Sequence, residues 1–457
     1  MDHKETPPHS NKVELVASTG DIIQRLDDTD DALQGYFETA QWTADGTALL
    51  TSSSSNLISG YIIPEDLLSP TASRPLELTP QASIQLPEPS NVLAGAPYFR
   101  LAEPWTQQLL VSSRDHPIQL FYLASPSPSP SSSPSPASSY PLTQARSETF
   151  LTATALVWPS PGTHFIAGSR NLLARFDVTR TGEEPVLRVK TIPSERHISK
   201  GGGVGMRGTI SSLAAQPPDA NFASLVAAGT WTRWVGLYDF AQAGGSWAAT
   251  WSVASAANEE ACIGGDGITQ AIWSPCGRYL LLGERKSTGV LVYDVRVTGK
   301  LLGWLAGREA LGNQRISCDV FPGQGGSEEG GFEVWSGTTN GAVKMWEGVG
   351  TREGAHEPAW SWDAARQSTV GSTCVHQSGT VVATCSGSWE FPDDDGDNEP
   401  SSQDSSDSEE SEESEESEES DGSSDISRSA SPWMRRRNKE SSLKIWSISN
   451  NSEETGP

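Results

Sequence analysis

Short runs of alternating apolar and polar residues, broken by Gly and Pro turns, fill most of the chain. Val, Ile, Leu, Thr and Trp dominate these runs, and such alternation predicts β-strands with one face packed. No amphipathic helical stretch extends beyond a few turns. One unit recurs: a hydrophobic strand, a Pro/Asp/Gly turn, a strand of small residues, a polar loop, and a strand ending in an aromatic. The turns stand at Trp42-Thr43-Ala44-Asp45-Gly46, Trp158-Pro159-Ser160-Pro161-Gly162, Trp273-Ser274-Pro275-Cys276-Gly277, Phe321-Pro322-Gly323 and His376-Gln377-Ser378-Gly379. Weaker copies sit at Glu103-Pro104 and Pro217-Pro218-Asp219. The closing aromatics are Tyr61, Phe121, Phe176, Tyr238, Tyr293, Trp346 and Trp446, which makes seven repeats.

Spacing sharpens the pattern. Turn glycine and closing aromatic lie 15 residues apart for Gly46 and Tyr61, 14 for Gly162 and Phe176, and 16 for Gly277 and Tyr293. Gly379 and Trp446 are 67 apart, and setting aside the 52 residues of 390–441 restores 15. That acidic tract is therefore expected inside the seventh repeat, between its second and third strands. Repeats of this anatomy, with Asp177, Asp239 and Asp294 following three of the aromatics, are the signature of WD40 units of four strands each. The sequence predicts an all-β, seven-bladed WD40 propeller with disordered insertions, spanning 13–448. An open sheet edge at the end of blade seven would invite aggregation. The run Val13-Glu14-Leu15-Val16-Ala17-Ser18 is expected to close the ring as that blade's outer strand.

Composition explains the gaps between repeats. Apolar residues make up only 35% of the 457, and four stretches lack the apolar surface that offsets ordering entropy. These are the N-terminus 1–12, the Pro-rich 69–90, the Ser-Pro run within 124–147, and the Ser/Glu tract 390–441; the C-terminus 449–457 joins them. Of 58 acids, 17 fall between Asp393 and Asp425, where no Lys or Arg occurs. They carry most of the net charge of −26, and the other 41 acids face 32 bases. The body is mildly acidic, so a wholly basic nucleic-acid binder is excluded and a local basic patch is not. The five cysteines never form a C-x-x-C spacing, which predicts reduced thiols in the cytosol or nucleus. Neither a membrane-spanning apolar run nor a secretory leader is recognisable. A soluble intracellular protein is the expectation.

Several strings carry more than the generic repeat. Ser113-Arg114-Asp115-His116-Pro117-Ile118, Gly307-Arg308-Glu309 followed by Asn313-Gln314-Arg315-Ile316, and Ser336-Gly337-Thr338 with Gly341-Ala342-Val343 and Trp346 are the most specific. With Trp42-x-x-Asp45-Gly46 and Ala383-Thr384-x-Ser386-Gly387 before an acidic loop, they resemble the telomerase Cajal body protein family across roughly 36–448. The resemblance implies a non-catalytic, monomeric scaffold that binds small nuclear RNA of the box H/ACA Cajal body class, which in animals includes telomerase RNA. It implies H/ACA ribonucleoprotein or, as for fungal relatives, pre-mRNA splicing partners. Its implied location is the nucleus, Cajal body-like or nucleoplasmic, with the cytoplasm a further possibility.

Catalytic and metal chemistry find little footing. Gly203-x-Gly205-x-x-Gly208 matches a dinucleotide fingerprint in letters, but that motif must open a helix, and here Thr209-Ile210-Ser211-Ser212-Leu213 reads as a strand. No G-x-S-x-G or H-E-x-x-H occurs, and the seven histidines show no ligand spacing. No cofactor or metal is expected, and Asp115-His116 reads as a loop-stabilising pair.

Register does yield a candidate nucleic-acid surface. Loops between the second and third strands emerge on one rim, together with the connections entering the next blade. Those loops carry Arg114 in blade two, Arg170 in three, Arg233 in four, and Arg285 with Lys286 in five; the connections add Lys200, Arg207, Arg308 and Arg315. Trp231 and Trp234 flank Arg233. Guanidinium groups fork onto phosphate and aromatic rings stack on unpaired bases. The acidic insertion would leave from the same rim, and three readings stay open for it: a solubilising loop, a partner-binding tail, or a competitor of RNA, the more so if phosphorylated on Ser411-Glu412-Glu413-Ser414 repeats. Two rivals remain at this stage: a protein–protein adaptor in splicing or another nuclear complex, and a histone-binding propeller suggested by the acidic tract.

Overall fold

In the computed structural model the described residues are 11–25, 32–69, 73–123, 135–144, 147, 149–192, 206–217, 225–240, 245–323, 331–388 and 440–450. They form seven four-stranded antiparallel blades and one small hairpin, Ile23–Arg25 with Ala32–Gln34. Blade one comprises Phe37–Trp42, Ala48–Ser53, Leu57–Ile62 and Ala82–Gln85, each hydrogen-bonded to the next. The same four-strand order repeats in the next five blades, and blades five and seven each carry a fifth, parallel strand. From blade two to blade seven each inner strand lies against the next, that of blade two also meets Ala48–Ser53 of blade one, and that of blade seven, Val370–Val375, meets Phe37–Trp42 to close a ring. No helix among the described residues is long and apolar enough to cross a membrane.

The recurring unit has a packing cause. All seven closing aromatics sit on third strands and are buried, filling the space between neighbouring sheets with large apolar area. The second strands are made of small residues because the next blade presses on them. A methyl group added at Gly168 would come within 2.5 Å of Ile210, and one at Gly229 within 2.6 Å of Ile268. Both isoleucines open the inner strand of the following blade.

Blade seven closes as the sequence predicts. Asn11–Ser18 pairs antiparallel with Leu443–Asn450, Leu15 opposite Trp446. The acidic segment begins after the second strand, Val381–Ser386, and ends before the third, Leu443–Asn450. Residues 389–439, 1–10 and 451–457 lie outside the described residues.

Two segments expected to be unstructured need correction. Within 69–90, Ala82–Gln85 is the outer strand of blade one and buries Ile84 and, just after it, Leu86. Within 124–147, Ser138–Tyr140 is the outer strand of blade two, with Tyr140 fully buried and its hydroxyl donating to Val178 O at 2.8 Å; residues 124–134 lie outside the described residues. A short edge strand needs only one or two buried side chains, so Ser- and Pro-rich surroundings conceal it.

Candidate nucleic-acid interface and axial channel

The rim is built from tight hairpins joining second to third strands. Asn56, Asp115, Asn171, Arg233 and Lys286 each take a left-handed backbone, with φ between 50° and 65°. Asn and Asp adopt this conformation readily, whereas Arg and Lys do so only when surrounding contacts hold them.

Those contacts divide the predicted cations into three groups. Arg114 and Arg170 are exposed. So is Arg207, which backbone bonds draw close to Arg170 and Trp231. Arg170 bridges to Thr209, Asn171 N–H donates to Gly208 O at 2.9 Å, and Gly208 N–H to Asn171 Oδ1 at 2.7 Å. The Thr232 hydroxyl donates to Arg207 O, and Trp231 N–H to Thr209 O at 3.2 Å. Trp231 is one of the few large apolar side chains left exposed, whereas Trp234 is half-buried against the blade three–four core. Two cations and an indole thus share one patch.

A second group is shared with carboxylates. Lys286 Nζ lies 3.1 Å from Asp266 Oδ2, and Arg285 Nε lies 3.7 Å from the same oxygen while also donating to Asp266 O. The Lys286 hydrogen bond, then the Arg285 charge, hold the Asp266 carboxyl below its usual range. Both cations remain partly exposed.

The third group is internal. Arg233 forks onto Glu284, Nε to Oε1 at 2.7 Å and Nη2 to Oε2 at 2.9 Å, and also meets Asn258 Oδ1. Glu284 is 2% exposed, and its burial pushes the carboxyl up against the pull of Arg233. Arg308 is 0% exposed and donates to Ser336 Oγ, Glu284 O and Ile316 O. A residue so enclosed cannot reach RNA, which corrects its place among the rim candidates: it fastens blade five to blade six. Lys200 lies outside the described residues.

Arg315 faces a different space. A cavity of about 720 Å³ lies along the axis, lined by inner strands of blades one, two, five, six and seven and by the blade five–six connection. Tyr36, Asn313, Gln314 and Arg315 line its rim end, Glu38 beside them, and Asp319, Gln41 and Thr373 lie deeper. Burial lowers the Arg315 pKa and raises that of Glu38, each charge opposing the other's shift. Asp319 Oδ2 accepts Val375 N–H at 2.7 Å and Oδ1 accepts Val320 N–H at 2.8 Å, yet burial pushes its carboxyl up to about 6. Neither acid was marked by the sequence, because each looks like an ordinary polar residue on a strand. Only ring closure brings them together. No group of three or more metal-ligating side chains occurs among the described residues.

Comparison with known proteins gives a consistent result. The chain is similar to the bovine telomerase Cajal body protein 1, 28% identical over 366 residues, and to the human protein, 27% identical over the same length. It is also similar to the guanine nucleotide-binding protein negative regulator 1 of Schizosaccharomyces pombe, 24% identical over 323 residues. The two mammalian matches cover 79% of this chain but only 59% and 58% of the relatives, so the chain spans about three fifths of their length. The yeast match covers 70% of this chain and 73% of the relative. No family model matches.

Proposed function

Since this chain belongs to the telomerase Cajal body protein family, we propose that it binds a small nuclear RNA of the box H/ACA class on the rim of blades two to four. The fold and the relatives support a non-catalytic scaffold. The RNA-binding reading rests above all on the patch of Arg170, Arg207 and Trp231, with Arg114 one blade away on the same rim. Exposed guanidinium groups neutralise backbone phosphate, and the indole offers a stacking face to an unpaired base. An acidic body concentrates binding there, because phosphate is repelled elsewhere. On this reading the protein works in the nucleus, at Cajal bodies or in the nucleoplasm, with H/ACA ribonucleoprotein or spliceosomal proteins as partners and telomerase RNA among its ligands.

Crosslinking the tagged protein in cells and sequencing the attached RNA tests the proposal and names the ligand. Box H/ACA RNA, crosslinked through peptides containing Arg170, Arg207 or Trp231, is the expected result. Recovery of no RNA above background overturns it and leaves a protein–protein adaptor.

A further inference from the structure

The axial cavity has a chemistry unlike the rim. Among the described residues that line it, the charged groups are Glu38, Asp319 and Arg315. Arg315 and Glu38 interact at the rim end, which leaves Asp319 without a cation of its own within the lining. Two further polar groups are unmatched. Thr373 is 2% exposed, and its Oγ1 has no hydrogen-bond partner; Gln41 Nε2 has none either. The neighbouring amides are satisfied: Gln270 bonds to both Cys318 N and O, and Gln314 donates to Gly387 O. Buried polar groups left without partners cost stability that a ligand can recover.

We propose that this cavity is a second binding site, separate from the rim patch, which receives a lysine or arginine side chain presented by an extended segment of a partner protein. The ammonium or guanidinium group supplies the counter-charge for Asp319, with Glu38 nearer the rim. Carbonyl oxygens of the same segment accept from Gln41 and Thr373. An inorganic cation satisfies the carboxylates and leaves both donors unmatched. A nucleotide offers acceptors but carries its phosphate against two carboxylates. A cationic peptide matches both halves of the site, and about 720 Å³ lies within the range of pockets that enclose a small ligand.

Degenerate heptapeptide pools with a fixed central Arg, Lys or Gln, their termini blocked, are the probes, applied to the full chain. Retention of the Arg and Lys pools over the Gln pool is expected. Asp319→Asn should lower their affinity about tenfold or more, as removing one partner of a desolvated charge pair does. Thr373→Val should lower it about fivefold by deleting one hydrogen bond. Asp319 also tethers Val375, so Glu38→Gln and Thr373→Val keep the test valid if Asp319→Asn fails to fold. Equal retention of the three pools, or of none at millimolar peptide, overturns the proposal. So does a cavity variant that loses affinity for oligouridine while its peptide binding is unchanged, since the cavity would then hold a base. Loss of RNA binding in Arg170→Ala with peptide retention intact would bear on the rim alone.

Discussion

In blades two and three the arginines of the rim hairpins point into solvent, whereas in blade four the arginine at the same kind of turn folds down onto a neighbouring blade. Arg114 and Arg170 are exposed; Arg233 is 14% exposed and clamps Glu284. The loops hold four, two and three residues, and Arg233 takes the left-handed position that Asp115 and Asn171 hold beside Arg114 and Arg170, where the following blade supplies its partner. Blade five ends its second strand, Tyr279–Glu284, with a carboxylate, and the second strands of blades three and four end at Ser169 and Thr230. A hydroxyl carries no charge to pair with a guanidinium group. One half of the rim therefore keeps its positive charge for a ligand, and the other spends it on joining blades.

The largest test of this division is Arg308→Ala. It removes three hydrogen bonds from enclosed acceptors and leaves a void, so stability to denaturant should fall by about 3–5 kcal/mol. Arg170→Ala should change it by less than about 0.5 kcal/mol, as is usual for surface positions. Comparable losses in the two variants would erase the distinction between structural and free cations.

Next in size is the Arg233–Glu284 clamp. Arg233→Ala strands a buried carboxylate and should cost about 3 kcal/mol at pH 7. Burial already raises the Glu284 pKa, and losing its partner raises it further. The folded state then binds a proton that the unfolded state releases, so the variant regains stability as pH falls from 7 toward the ordinary glutamate range. Denaturant melts across that window should converge on those of Arg233→Ala/Glu284→Gln. A deficit that stays constant with pH would show that the clamp acts through packing and not through charge.

The free half of the rim should respond to RNA and not to denaturant. Arg170→Ala with Arg207→Ala should weaken binding of single-stranded RNA about tenfold at low salt and reduce the salt slope by about 1.4, two phosphate contacts at roughly 0.7 each. Arg233→Ala should leave that slope unchanged. A slope altered by Arg233 and indifferent to Arg170 would reverse the assignment.

How much of this was legible in the sequence follows from how local each signal is. Turn glycines, small-residue strands and closing aromatics recur within single repeats, so the blades and the N-terminal closing strand could be read directly. Ala82–Gln85 and Ser138–Tyr140 could not, since one or two buried residues in a polar stretch carry no periodicity. Register placed Arg114, Arg170, Arg233, Arg285 and Lys286 between second and third strands, whereas Arg308, expected in a connection, lies within the strand Leu301–Ala310. It could not separate free from engaged ones, because Glu284 lies 51 residues from Arg233 and Asp266 lies 20 from Lys286. The axial acids were hidden for the same reason: Glu38 and Asp319 belong to blades one and six, the first and sixth of the chain, which closure of the ring brings to either side of blade seven.

The smallest predicted effect has the opposite sign, and it tests the boundary between the two halves. Lys286 and Arg285 share one exposed carboxylate, Asp266, which is 53% exposed. Ion pairs in so much solvent are weak, so the two cations are held back from a ligand only lightly. Asp266→Asn removes the competing charge while keeping the residue's size. If the rim binds RNA across blades two to five, affinity should rise about two- to threefold at low salt, and the salt slope should steepen, since one more phosphate contact adds roughly 0.7. The gain should fade as salt screens it. Removing a negative charge from an acidic surface also reduces general repulsion, so Asp266→Asn must be compared in the background of Lys286→Gln and Arg285→Gln. An equal gain in that background assigns the effect to the field of the whole protein and confines the RNA site to blades two to four. A gain that disappears there extends the site to blade five and makes Asp266 a carboxylate that RNA displaces.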